Sequence, residues 1–99
     1  MTVYIYDDTY IINSVEDADL EASETKALTD LNKQGVTDAF YLEEMCKALV
    51  YIDLAIKQGE SEAMNERISH YRKEYNRYNT MNLHNNVDEK IYSVEIGRG

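Results

Sequence analysis

The sequence predicts a small α+β domain in the order β-β-α-α-α-β, and three observations predict it. Short runs of β-branched and aromatic residues stand at both ends of the chain, helical periodicity fills the stretch between them, and Gly35 and Gly59 punctuate the helical part. At 99 residues the chain reads as one domain, 1–99, with a core of modest size. A hydrophobic fraction of 43% argues for a folded chain in spite of its charge.

Val3-Tyr4-Ile5-Tyr6 and Tyr10-Ile11-Ile12, separated by Asp7-Asp8-Thr9, read as a β-hairpin with Val3 and Ile5 turned to the core. Lys90 to Ile96 reads as a third strand, with Tyr92, Val94 and Ile96 on one face. An isolated hairpin is marginal, so this strand is expected to join it in a three-stranded antiparallel sheet packed against three helices.

The first helical stretch contains a conflict of phase. Leu20, Ala27, Leu28 and Leu31 share a face at about 100° per residue, yet Glu21 and Glu24 project into the same sector. Residues 14–22 are therefore expected to form a loop or loose acidic turn, with the regular helix running from Ser23 to Gln34 and Gly35 as its C-terminal cap. The second helix has Thr37 as N-cap, Asp38 in its first turn and Val36 stapled onto Tyr41. Leu42, Met45, Leu49, Ile52 and Ile56 follow 3-4-3-4 spacing and define its core stripe. Val50, Tyr51 and Leu54 fall outside that stripe, so a sheet or a second copy is expected to cover them. In the third helix, capped by Ser61, Met64, Ile68, Tyr71, Tyr75 and Tyr78 repeat the pattern. Asn79, Asn82, Asn85 and Asn86 read as a turn leading into the last strand.

Charge carries most of the functional information. Nineteen acids against ten bases give a net charge of -9. Residues 1–34 hold eight acids and two bases, whereas residues 67–78 hold four bases and one acid. A field of that sign repels nucleic acid and anionic membrane and steers the chain toward basic partners. No apolar run approaches the ~20 residues that a membrane crossing needs, and Met1 to Tyr6 lacks a signal-peptide start, so a cytoplasmic protein is expected. Cys46 is the one cysteine and sits in an apolar helical pattern, which reads as a buried, inert thiol. Nine of the ten aromatic residues are tyrosine, a side chain suited to half-buried positions and interfaces.

Catalytic and metal chemistry find no foothold. Asp17, Asp19 and Glu21 alternate as at the opening of an EF-hand loop, but Ala22 stands where that loop needs glycine and Leu28 where it needs a bidentate glutamate. Glu66, His70 and Glu74, one turn apart, read as intrahelical pairing on a wet face. No phosphate loop, nucleophile elbow or Cys-x-x-Cys pair is present, so no catalytic residue, metal or cofactor is assigned and no enzyme is expected.

Leu28 to Leu42, around Gly35-Val36-Thr37, resembles the turn region of helix-turn-helix DNA-binding units. Its would-be recognition helix opens on Asp38 and carries Glu43 and Glu44 before the first base, Lys47, which argues against direct contact with nucleic acid. In size and composition the chain resembles anti-restriction and anti-CRISPR proteins of phages and mobile elements. That resemblance implies a small acidic inhibitor, a DNA mimic, that occupies the basic surface of a nucleic-acid-binding or host-defence protein. An immunity protein or antitoxin would use the same physics. Partner contacts are assigned to Asp17, Asp19, Glu21, Glu24, Asp38, Glu43 and Glu44. The alternative is a homo-oligomeric structural protein that associates through helix 37–58, with Val50, Tyr51 and Leu54 at the contact.

Overall fold

A computed structural model describes the backbone of residues 1–59 and 61–98 and the side chains of residues 1–59 and 61–84. The chain is helical in four pieces: α1 (Thr9–Ile12), α2 (Asp17–Lys33), α3 (Ala39–Lys57) and α4 (Glu62–Arg98). Among the described residues there is no strand, which overturns the expected α+β class and its three-stranded sheet. Residues 90–96 continue α4 instead of forming a third strand; the side chains of Val94 and Ile96 lie outside the described residues. The reason lies in what the chain lacks. There is no proline, and no glycine between Gly59 and Gly97, so nothing interrupts α4 once it has started. Asn79 and Asn82 are carried inside it, because asparagine costs a helix only up to roughly 0.7 kcal/mol relative to alanine.

The helix ends follow local chemistry more closely. α2 closes with the N–H of Gly35 on the Asn32 carbonyl and the N–H of Val36 on the Leu31 carbonyl, each at 3.1 Å. Gly35 holds φ +80, which a side chain would strain, and Val36 is buried just beyond it. Ser61 caps α4 as expected, its hydroxyl accepting the Met64 N–H at 3.1 Å. The α3 cap is displaced by one residue: Asp38, not Thr37, accepts the N–H groups of Phe40 at 3.0 Å and Tyr41 at 3.1 Å. α2 also starts earlier than expected, at Asp17, with Asp17 and Asp19 placed against the positive end of its dipole.

α3 is the central helix, with α2 packed on one side and α4 on the other. Residues 1–8 form a non-helical strap across these helices and lead into α1, which seals Ile11. The alternation read as a hairpin strand is real, but its phase is reversed. Tyr6 is buried and Tyr4 half-buried, while Val3 is 70% and Ile5 84% exposed. With a period of two, a shift of one residue exchanges every inward side chain for an outward one.

The faces of α3 are exchanged as well. Val50, Tyr51 and Leu54, assigned to a sheet or second copy, are sealed inside the chain. Tyr6 of the strap meets the Tyr51 ring edge-on at 5.6 Å, and Tyr71 of α4 stacks on it at 4.6 Å. The regular stripe lies on the other side of α3. There Met45 is buried, Leu42, Leu49 and Ile52 are half-buried, and Ile56 is 53% exposed.

Ser23 ties α2 to α3 by donating to the Asp53 carboxylate at 2.8 Å, and Lys57 pairs with the same oxygen at 3.1 Å. Burial works to raise the Asp53 carboxyl. The Ser23 bond and the charges of Lys57 and Lys26 outweigh it and hold the group below the ordinary aspartate value. A depressed folded value means stability that is complete above the ordinary carboxylate range and is lost as pH falls through the lowered value. Asp53→Asn should therefore lower the urea midpoint at neutral pH, and the gap to the wild type should close at strongly acidic pH. Core position decides a second measurement. Leu54→Ala should cost about 2–5 kcal/mol in urea unfolding, and half-buried Leu49→Ala less than about 2 kcal/mol. The reverse order would contradict this packing.

Candidate functional site

Asp17, Glu21, Glu24 and Leu28 follow 4-3-4 spacing and share one side of α2. Met1 and Thr2 of the strap lie against this side, beside Asp17 and Glu21, and the N-terminal ammonium pairs with Glu21. Glu24 is only 3% exposed. Its carboxylate accepts the Val3 N–H at 2.7 Å, the Tyr4 N–H at 3.1 Å and the Tyr6 hydroxyl at 2.8 Å. These donors are neutral, so a buried charge is held by hydrogen bonds. Burial, reinforced by the bond to Glu24, holds the Tyr6 hydroxyl far above its ordinary value. Cys46 lies 3.9 Å from that hydroxyl, and burial pushes its thiol up to about 11.

A second anchor follows along the strap. The Tyr51 hydroxyl accepts the N–H groups of Asp7 at 2.8 Å and Asp8 at 3.0 Å, and donates to the Asp7 carboxylate at 3.3 Å. Asp8 accepts the Tyr71 hydroxyl and, at 3.3 Å, the Arg67 Nε–H. Burial first, then the bond to Asp8, raises the Tyr71 hydroxyl above its ordinary value. Arg67 also lies over the Tyr10 ring, 4.1 Å from its centroid. At the far end, Gln58 donates to the Ile11 carbonyl at 2.5 Å and accepts the Ser14 hydroxyl at 3.1 Å.

Beside the strap, a cleft of about 240 Å³ opens between α3 and α4. Asp7, Glu44 and Glu74 supply its carboxylates, and half-buried Tyr71 and Tyr78 supply aromatic surface over the sealed Tyr51. Lys47 is the base in its lining, and it pairs with Glu43 at 3.1 Å. Glu74 pairs with Arg77 at 2.7 Å. Asp7 and Glu44 carry no ion pair among the described residues. Tyr78 extends the aromatic surface to Phe40, which is 57% exposed, with ring centroids 5.8 Å apart. The arrangement offers carboxylates and aromatic rings together, the combination that a guanidinium or ammonium group recognises.

The seven carboxylates assigned to partner contact do not share one face. Glu24 is buried under the strap, and Asp38 is engaged as the α3 cap, at the opposite end of α2 from Asp17. Asp19 aligns with Ser23 and Lys26 on the side of α2 away from the strap. Glu44 reaches the cleft, and Glu43 stands beside it with Lys47. From sequence, Glu74 reads as an intrahelical pair, Tyr71 and Tyr78 as members of a helix stripe and Tyr51 as an oligomer contact; the sequence assigns none of them, nor Asp7, to an acidic contact. The signal that pointed there was Glu24, a carboxylate in the apolar sector of its own helix. No protein-family model, curated protein or solved structure matches the chain.

Glu24→Gln puts an amide where the strap supplies donors. It should cost roughly 1–3 kcal/mol and loosen residues 1–8. Cys46, protected in the wild type, should then react with a thiol reagent while the helical circular dichroism is kept. Continued protection of Cys46 in this variant would mean that the strap does not depend on Glu24.

Proposed function

We propose that the protein is a non-enzymatic binding protein that occludes a basic surface of another protein, as an inhibitor of a nucleic-acid-binding or host-defence protein would. The observation that carries the reading is the α3–α4 cleft, where Asp7, Glu44 and Glu74 stand with Tyr51, Tyr71 and Tyr78. An arginine side chain from the partner can pair with the carboxylates and lay its planar group on a tyrosine ring. Asp17, Glu21 and Glu43 widen the negative field around this anchor, and a net charge of -9 steers a basic partner toward it. Val3 and Ile5 add exposed apolar surface on the strap that carries Asp7. Glu24 contributes indirectly, by holding the strap that carries Asp7. An arrangement that attracts arginine in this way competes with the phosphates that the same arginine would bind in DNA or RNA.

A synthetic arginine-rich peptide provides the test. Titration calorimetry should detect binding that weakens as salt rises, and duplex DNA should compete for the peptide. Asp7→Asn combined with Glu44→Gln should reduce affinity about tenfold and flatten the salt dependence, with helical content unchanged. Equal affinity and an equal salt slope in the double variant would sink the cleft as the contact.

A further inference from the structure

We infer that Lys47 is a resident competitor in the α3–α4 cleft: its ammonium stands among the carboxylates and limits how tightly a partner's guanidinium binds there. The inference rests on the cleft being the partner contact and adds the residue that sets its affinity.

Lys47 is the base in a lining that holds Asp7, Glu44 and Glu74. Its side chain is only 26% exposed, so this charge is largely enclosed by the cleft. Of the three carboxylates, Glu74 is engaged by Arg77 at 2.7 Å, from outside the lining. Asp7 and Glu44 share the cleft with Lys47 instead. The Lys47 ammonium pairs with Glu43 at 3.1 Å, one turn back on α3, and Glu44 stands three residues before it on the same helix. Burial works to lower the Lys47 ammonium. The bond to Glu43 and the charges of Glu43 and Glu44 outweigh it and hold the group above the ordinary lysine value. It is therefore charged throughout the neutral range.

The strap shows the pairing that the cleft lacks. Asp8 holds the Arg67 guanidinium at 3.3 Å, and that guanidinium lies over the Tyr10 ring. Asp7, the preceding residue, brings its carboxylate to half-buried tyrosine rings as well, but with a lysine already beside it. An incoming guanidinium must share these carboxylates with that charge. Near a protein surface, like charges within several ångströms of each other weaken binding by about tenfold. An i,i+4 helix pair such as that with Glu43 is weak, so Lys47 tempers the cleft without sealing it.

Titration calorimetry of the whole chain at low salt, with the synthetic arginine-rich peptide, tests this. Lys47→Met removes the charge and keeps an unbranched apolar side chain. It should tighten binding about tenfold and steepen the salt dependence, with helical circular dichroism unchanged. Lys57→Met, on the opposite side of α3, changes the net charge by the same one unit and should alter affinity less than about twofold. Binding that Asp7→Asn with Glu44→Gln weakens, but that Lys47→Met fails to tighten, would overturn the inference and leave the cleft as the contact. An equal gain from Lys57→Met would overturn it too, since net charge alone would then account for the effect. A peptide that binds neither the wild type nor Lys47→Met would overturn both the cleft and its competitor.

Discussion

The buried carboxylate of Glu24 is the constraint on which the rest of the arrangement hangs. A charge 3% exposed must have its oxygens satisfied, and α2 alone cannot do it, because helical N–H groups are committed to helical carbonyls. The N-terminal residues can, since the N–H groups of Val3 and Tyr4 are free of any ladder and Tyr6 adds a hydroxyl. Once those atoms are fixed on Glu24, the phase of the strap follows. Tyr4 and Tyr6 turn inward, Val3 and Ile5 turn out, and the next residues arrive where Tyr51, Tyr71 and Arg67 can hold Asp7 and Asp8. A single carboxylate thus replaces the sheet that the same residues would otherwise need to satisfy their backbone.

That anchoring also divides α3 into two working sides. The strap seals Tyr51 and, with it, Val50 and Leu54, so the irregular part of the apolar pattern becomes core. In the regular part, Met45 is buried and Leu42 and Leu49 pack on the core, while Ile52 and Ile56 border a groove between α2 and α3. A helix that is apolar nearly all round must be buried nearly all round, and one chain of this length supplies a strap for one side only.

The charges follow the same division. On the strap side, carboxylates outnumber the bases that pair with them, and tyrosine rings stand among them in the cleft. On the opposite side, Lys26 and Lys57 balance Asp30 and Asp53 around apolar residues. The first side is the one that suits the arginine-bearing partner proposed above. The sequence-wide value of -9 describes neither side, since it averages over both.

Local signals were legible along the chain. The glycine that ends α2, the serine that caps α4 and the helical character of α3 appear in the structure as read, because each depends on contacts within a few residues. The buried thiol of Cys46 was legible for the same reason. The ends of the chain were not. A run such as Val3-Tyr4-Ile5-Tyr6 alternates equally well as a strand or as a strap, and only a long-range partner decides which face turns inward. The conflict of phase at Glu21 and Glu24 reads from sequence as a loop over residues 14–22, since nothing nearby in sequence satisfies Glu24; its donors lie some twenty residues away. The same limit exchanged the two sides of α3 and scattered the seven acids assigned to partner contact. Composition and spacing determine which elements form and what charge they carry. Which side of each element is covered depends on the few hydrogen-bond donors that can reach a buried charge, and only the tertiary structure brings them together.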